Sequence, residues 1–381
     1  MFFSKAQKQV GVAFDIGTAS VSATLFEISP EEIRPNLIKT FRKFHKISPK
    51  KDATHFGKST TVQFSELIKE IDTFLKGKVP SYYVIGLSSI FYLGRTEKLY
   101  EKRPENKAVT KSDIETFLEN GKHRFLSGLD RDDVVVFETV PMRILLNGYT
   151  VEQPVGKTAA EIELSVYYAA TSRELYDTLI AIIWSVHKNA QVRFSTLPIA
   201  TWLVMREVLV SEHSAIIADI GGELTEVTFL ADGIIEGILS LPFGVMNILL
   251  RISEIEHIEV ENALSLLKNY TSGMLDKDAE SRIRAILKKE LKGWEEVFDR
   301  VWQKASRDMM SNIKMFFLGG GALITDMKTA VTPPLLHPDL ARNLHVSMIA
   351  PEAFRDRFGT YCCFDGPGDF GLLALILSVR S

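Results

Sequence analysis

Asp15-Ile16-Gly17-Thr18 places a carboxylate at the end of an apolar run, beside a position with no Cβ. At such a bend an anion can approach backbone N–H groups while the carboxylate helps hold a hydrated cation, which is the chemistry of a phosphate bound with Mg2+. Alone, the tetrapeptide is also ordinary hairpin chemistry. About 200 residues later Asp219-Ile220-Gly221-Gly222-Glu223-Leu224-Thr225 repeats the Asp-x-Gly core. Two such turns facing each other across a cleft would grip one polyphosphate from both sides. A third element, Leu318-Gly319-Gly320-Gly321-Ala322, sits at a strand-to-helix turn. Its missing side chains let a base or ribose lie against the backbone near a helix N-terminus.

These turns need strands to carry them. Val10 to Asp15 is an apolar run and Ser20 to Ile28 alternates, so a hairpin opens the chain. Leu67, Ile68, Ile71, Phe74 and Leu75 form a helical stripe ended by Gly77 and Pro80, and Tyr82 to Leu87 reads as a buried strand. From about Ile90 to Thr171 the pattern changes to a small α+β insert, with a strand near Phe91 and strands at Val134 to Glu138 and Glu161 to Ala169. Thr110 with Asp113, and Thr171 with Glu174, have capping-box spacing and predict helices over 111–126 and 172–188. Pro198 opens a further helix, to about Leu209. From Ala215 the opening strand-bend-strand pattern recurs, followed by helices over 259–269 and from about Asp276 to Ser311, and by a strand from Lys314 to Leu318. The spacing of the repeat predicts two related lobes, not a solenoid. The expected division is 1–89, an insert at 90–171, completion of the first lobe at 172–213, and a second lobe at 214–381.

Composition agrees with a large globular chain. The 381 residues are 46% hydrophobic, which excludes disorder and is enough for two cores of roughly 150 to 200 residues each. With 45 Lys and Arg against 48 Asp and Glu the net charge is −3, so there is no general electrostatic drive toward nucleic acid. The only cysteines, Cys362 and Cys363, are adjacent and are expected as core thiols, not as a disulfide or a metal site. Met1 to Lys5 carries no signal-like apolar stretch, and the longest apolar runs, Leu179 to Val186 and Phe370 to Val379, are too short to cross a bilayer. The second run is expected as a buried last helix.

Asp15 to Thr18, Asp219 to Thr225 and Leu318 to Ala322 together resemble the first phosphate, second phosphate and adenosine motifs of the actin-like ATPase superfamily. The resemblance covers residues 10 to 379. Within the superfamily the bacterial cell-division family FtsA looks closest. Val140-Pro141 through Gly148 to Pro154-Val155-Gly156, then Glu161-Ile162-Glu163-Leu164, resembles the signature segment of its small SHS2-type subdomain. Leu197-Pro198-Ile199-Ala200 and Leu241-Pro242-Phe243-Gly244 resemble its connecting segments. The pilus-assembly family PilM shares the architecture and stands as the alternative.

The resemblance implies an actin-like fold of two ribonuclease H-like lobes with an inserted α+β subdomain. It implies ATP or ADP with Mg2+ between the lobes, held by Asp15, Gly17, Thr18, Asp219, Gly221, Gly222, Thr225, Gly319, Gly320 and Gly321, with Asp15 and Asp219 reaching the metal through water. Lys268, near Ala263, Leu266, Leu267 and Tyr270, lies where the family leans a lysine on the adenosine. The implied function is a cytoplasmic scaffold, peripheral at the inner face of the cell membrane. It would self-associate into filaments and recruit either the tubulin-like division protein FtsZ or, in the pilus reading, the tail of a pilus membrane protein.

Several positions depart from the family pattern. Ser20 stands where a lysine is usual, and Glu223 and Leu224 replace a glycine and a threonine. A carboxylate about 4 Å from a phosphate repels it by roughly 4 kcal/mol at an effective dielectric of 20. ATP turnover is therefore expected to be weak at most. On this reading the C-terminal linker and amphipathic membrane helix of the division family are not expected, and membrane tethering would need another device or a partner. A small-molecule kinase of the same superfamily needs a base, and the segment before Asp219 offers only Glu207 and Glu212. Gly156-Lys157-Thr158 looks like the end of a P-loop, but Val151 stands where that loop needs its first glycine.

Overall fold

The structure is a computed structural model that describes residues 8–29, 34–45, 53–130, 132–206, 209, 214–304, 313–331 and 344–379. Three strands open the chain: β1 (Gln9–Ile16), β2 (Ser20–Ile28) and β3 (Asn36–Phe44). Helix α1 (Ala53–Leu75) and strand β4 (Tyr82–Leu87) follow. The insert comprises β5 (Leu93–Ala108), α2 (Lys111–Phe125), β6 (Val134–Leu146), β7 (Tyr149–Thr150) and β8 (Thr158–Ser172). Helix α3 (Arg173–Val186), strand β9 (Gln191–Thr196) and helix α4 (Leu197–Met205) complete the first half.

The second half repeats the order. Strands β10 (Ser214–Ile220), β11 (Thr225–Ala231) and β12 (Ile234–Leu241) lead into helices α5 (Val245–Glu256), α6 (Val260–Thr271) and α7 (Lys277–Lys304). Strand β13 (Ile313–Leu318), helix α8 (Thr325–Ala330), strand β14 (Leu344–Met348) and helix α9 (Phe370–Ser378) follow.

The two large sheets have the same topology, β3-β2-β1-β4-β9 and β12-β11-β10-β13-β14. In each, three antiparallel strands are followed by two parallel ones. Alternation along β1 sends Val12, Phe14 and Ile16 to a core with α1 and α3, while Ala13 joins the layer of α4 and α9. Along β10, Ile216, Ala218 and Ile220 face α5 and α7, while Ala215 and Ile217 face that same layer. Helices α4 and α9 therefore fill the space between two sheets, and both are buried along nearly their whole length. The apolar run at 370–379 is this buried helix, and no described helix is long and apolar enough to cross a membrane.

The insert sheet, β5-β8-β6-β7, grips both halves. Glu138 of β6 accepts hydrogen bonds from Ser195 Oγ at 2.6 Å, the Thr196 N–H at 2.9 Å and Thr196 Oγ1 at 2.8 Å, at the start of α4. Thr96 donates to the Ile235 carbonyl at 2.6 Å, and Lys98 pairs with Glu236 at 2.7 Å, both on β12.

Some local expectations change. The Thr110–Asp113 capping box forms reciprocally, at 2.7 and 3.1 Å. The cap of α3, however, is Ser172, because Thr171 turns inward and donates to the Phe91 carbonyl at 2.6 Å. The Cys pair is not a pair of core thiols. The segment carrying it runs along the open edge of β3, with the Leu37 N–H donating to the Thr360 carbonyl at 2.9 Å, so Cys362 is half-buried and Cys363 exposed. There the two sulfurs are bonded to each other. The expected ends near Leu209 and Ser311 run into residues outside those described, and the N-terminal segment, Glu207 and Glu212 lie there too.

Candidate functional site

Asp15 and Asp219 occupy equivalent places, each on the first strand of its sheet one residue before the bend, and both face the α4/α9 layer. The bends have the same internal bond: Gly17 donates to the Ser20 carbonyl and Gly221 to the Leu224 carbonyl, each at 3.0 Å. Their other carbonyls are tied down behind the cleft. His45 holds the first bend, its N–H donating to the Ala19 carbonyl at 2.9 Å and its Nε2 lying 3.0 Å from the Gly17 carbonyl. The N-terminus of α5 holds the second, with Val245 and Met246 donating to the Gly221 and Gly222 carbonyls at 3.0 and 2.8 Å.

Across the cleft the two bends touch. The Glu223 N–H donates to Thr18 Oγ1 at 3.0 Å, and this bond is buried. Gly222 packs against Ala19 so closely that an added Cβ would lie 2.5 Å from the alanine Cβ. Gly319, at φ 79°, closes the floor: a Cβ there would overlap Asp219 Oδ1 and the Ile220 carbonyl. Gly320 is exposed, with open space where a side chain would stand.

The electrostatics are those of crowded acids. Burial raises the Asp15 carboxyl to about 7, helped by Asp219 and Asp369 and opposed by Arg42. Burial alone lifts Asp219 to about 6. Glu226, paired in register with Asp219, reaches about 8 through burial, although Tyr92 donates to it at 2.9 Å. Asp15 Oδ1 is buried with no hydrogen-bond partner among the described residues. Such an orphaned carboxylate oxygen calls for a proton, a water or a cation. No group of three or more His, Cys, Asp or Glu that could hold a metal is present among the described residues. A cation beside Asp15 and Asp219 would therefore share its coordination with water and phosphate. The donor set fits a hydrated Mg2+ carrying a phosphate chain, and a terminal phosphate would compete with Thr18 for the Glu223 N–H.

No known family model matches the chain, and no curated protein matches it in sequence. Solved structures do match. The PilM–PilN type IV pilus biogenesis complex aligns over 97% of this chain and 98% of that one at 16% identity, with a TM-score of 0.60. The ethanolamine utilization protein EutJ from Carboxydothermus hydrogenoformans aligns over 97% of this chain and 90% of its own at 12% identity, with a TM-score of 0.50. The chain has the actin-like ATPase fold.

Within the actin-like frame the singled-out residues separate into two groups. Asp15, Gly17, Thr18, Asp219, Gly221 and Gly222 converge on the inter-lobe cleft, and Gly319 borders it beside Asp219, whereas Gly320 is exposed and Gly321 packs on Ile220 and Val245. Thr225 does not join them, because strand alternation pairs it with Ile220 on the opposite face, where its hydroxyl donates to the Phe243 carbonyl at 2.8 Å. Lys268 is exposed on α6, whose buried positions are Ala263 and Leu267. Tyr270 is the α6 residue that reaches the helix after the triple glycine, donating to Asp326 at 3.1 Å. Sequence reasoning passed over Arg42, Tyr92 and Glu226. Arg42 lies on a third strand that the hairpin pattern did not predict, and Tyr92 and Glu226 meet from segments 134 residues apart.

Proposed function

We propose that the chain is a nucleotide-gated actin-like scaffold, in which Mg2+ with ATP or ADP between the lobes sets how tightly they close and so which surfaces are offered for self-association and partner binding. The observation that carries this reading is the meeting of two equivalent bends, with Asp15 and Asp219 behind them and a buried amide-to-hydroxyl bond across them. Asp15 and Asp219 would hold the hydrated cation, the bend amides not already engaged by Ser20, Leu224 and Thr18 would receive the phosphates, and the bound nucleotide would supply the charge that the cation balances. Turnover is slow or absent. Leu197, at the head of α4, and Asp15 both lie against Gly371, and the buried glutamates nearby are already engaged, Glu226 by Tyr92 and Glu138 by Ser195 and Thr196. That arrangement argues equally against a small-molecule kinase.

The partner is the tail of a pilus membrane protein, with the scaffold lying in the cytoplasm against the inner face of the membrane. Support comes from the likeness to the PilM–PilN complex, which spans the insert as well as both lobes. A cavity of about 590 Å3 between the insert, α4 and the β11–β12 turn offers room for such a tail, lined by Arg143, Leu145, Trp202, Arg206, Leu209 and Leu230. The second reading is a division scaffold of the FtsA type that recruits FtsZ, favoured by the segment from Val140 to Gly156.

Calorimetry with Mg-ATP and Mg-ADP tests the nucleotide. Phosphate release with and without sugars tests the enzyme reading, and sugar-stimulated turnover would overturn the scaffold. Pull-down with the tail of a pilus membrane protein against the tail of FtsZ decides the partner.

A further inference from the structure

The cleft is strongly acidic. Asp15, Asp219, Glu226 and Asp369 gather around it: Glu226 is paired in register with Asp219, and Gly371, two residues after Asp369, lies against Asp15. A phosphate chain entering this surrounding needs positive charge beyond one divalent cation. The first bend supplies none, since residues 17–20 are Gly, Thr, Ala and Ser.

Arg42 is placed to supply it. The β1–β2 and β2–β3 registers put Asp15, Ser22 and Arg42 in one row across the sheet, on the face that looks into the cleft. Ser20 lies on the same face, its hydroxyl 3.5 Å from that of Ser22. The guanidinium is fixed at two points: Nε donates to Ser22 Oγ at 2.7 Å and Nη2 donates to Asp369 Oδ1 at 2.6 Å. Asp369 is nearly buried and is itself oriented by the Asp365 N–H at 2.7 Å. Two residues further on, Gly371 approaches Asp15 so closely that a Cβ would lie 2.6 Å from its Oδ2. The guanidinium is therefore anchored beside the metal-facing carboxylate. Its side chain keeps 30% exposure, and its hydrogen bonds to described residues engage Nε and Nη2. A planar fork held at two corners and partly exposed is a preorganised phosphate receptor.

We propose that Arg42, held by Ser22 and Asp369, is the cation that binds the nucleotide's phosphate chain at the first bend. The proposal rests on the reading of the cleft as a Mg-nucleotide site. A purely structural role, tying the C-terminal return to β3, is the competing account, and the two differ in what happens when Asp369 alone is neutralised.

Calorimetric titration of Mg-ADP and Mg-ATP into the full chain, at two salt concentrations, separates them. Arg42→Gln is expected to weaken binding about tenfold or more and to flatten its salt dependence, as loss of a charge-assisted contact requires. Arg42→Lys should keep part of the affinity. Asp369→Asn removes one charged anchor but keeps a carbonyl acceptor for Nη2, and Ser22 still holds Nε, so it should weaken binding clearly less than Arg42→Gln does. Ser20→Lys in the Arg42→Gln background should restore binding, since position 20 shares the face of Ser22. Melting curves of each variant establish that the fold is retained. Wild-type protein that binds no Mg-nucleotide overturns the underlying reading of the cleft. Wild-type binding that survives Arg42→Gln, or that Asp369→Asn weakens as much as Arg42→Gln does, overturns the role of Arg42.

Discussion

Thr18 and Glu223, 205 residues apart in the chain, are joined by a buried hydrogen bond in which the glutamate's backbone N–H donates to the threonine hydroxyl. This one bond ties the two halves together at the level of the bends. Thr18→Val keeps the shape and removes the acceptor, so the Glu223 N–H is left buried and unsatisfied, which costs about 1–3 kcal/mol. Amide exchange at Glu223 should accelerate in the variant without ligand while Thr18→Ser behaves as wild type. Equal exchange rates in all three would mean that the bends do not close on each other in solution.

Asp15→Asn keeps the volume of the carboxylate but removes its charge. Mg-nucleotide affinity should fall at least about tenfold, because one ionic contribution of about 1.4 kcal/mol or more is lost. The melting temperature without ligand should not fall, since burial and the nearby Asp219 already disfavour the ionised carboxyl. Unchanged affinity by calorimetry would remove Asp15 from the site.

The bends were legible in the sequence because each is a local event: an apolar strand, a carboxylate and a glycine in consecutive positions. The duplication was legible for the same reason, and it extends to two sheets of identical order. Residues that work by approach from elsewhere were not. Arg42 is anchored by Asp369, 327 residues away, and no local pattern marks either. Thr225 and Lys268 were singled out by their place in a motif, but the side of a strand or helix on which a residue falls depends on register. Register put Thr225 against Phe243 and left Lys268 exposed. The bonded cysteine pair, Cys362 half-buried and Cys363 exposed, likewise depended on where the chain returns, along the edge of β3, which two adjacent thiols cannot announce.

Glu223 brings a nearly buried side chain to the wall of the cleft, directly after the glycine that packs on Ala19. Glu223→Gln leaves the backbone bond to Thr18 in place and removes one negative charge from the space a terminal phosphate would enter. Mg-ATP affinity should rise about tenfold, with a smaller gain for Mg-ADP, whose shorter chain lies farther from this residue. A calorimetric comparison showing no gain for either nucleotide would mean that the carboxylate points away from the phosphates.

Glu138 ties the insert to the start of α4, and its buried carboxyl is raised to about 7, by loss of solvation acting against the donors Ser195 and Thr196. A carboxyl whose folded value exceeds its unfolded one binds a proton more tightly in the native state. Its contribution to stability is therefore fully present below the unfolded value, and it is lost as pH rises toward about 7. Between these limits the loss is about 1.4 kcal/mol per pH unit for one group. Glu138→Gln cannot ionise, so its unfolding free energy should decline less steeply with pH than that of the wild type across this window. The other raised acids, Asp15, Asp219 and Glu226, are common to both proteins and cancel in the difference. Glutamine offers one acceptor where the carboxylate offers two, so the variant also pays a roughly constant cost of about 1–3 kcal/mol for a poorly satisfied Thr196 N–H. That offset shifts the curve without changing its slope. Denaturant unfolding at pH 5, 6, 7 and 8 separates the two effects, and parallel curves for the two proteins would show that Glu138 stays ionised throughout and that burial does not govern its charge.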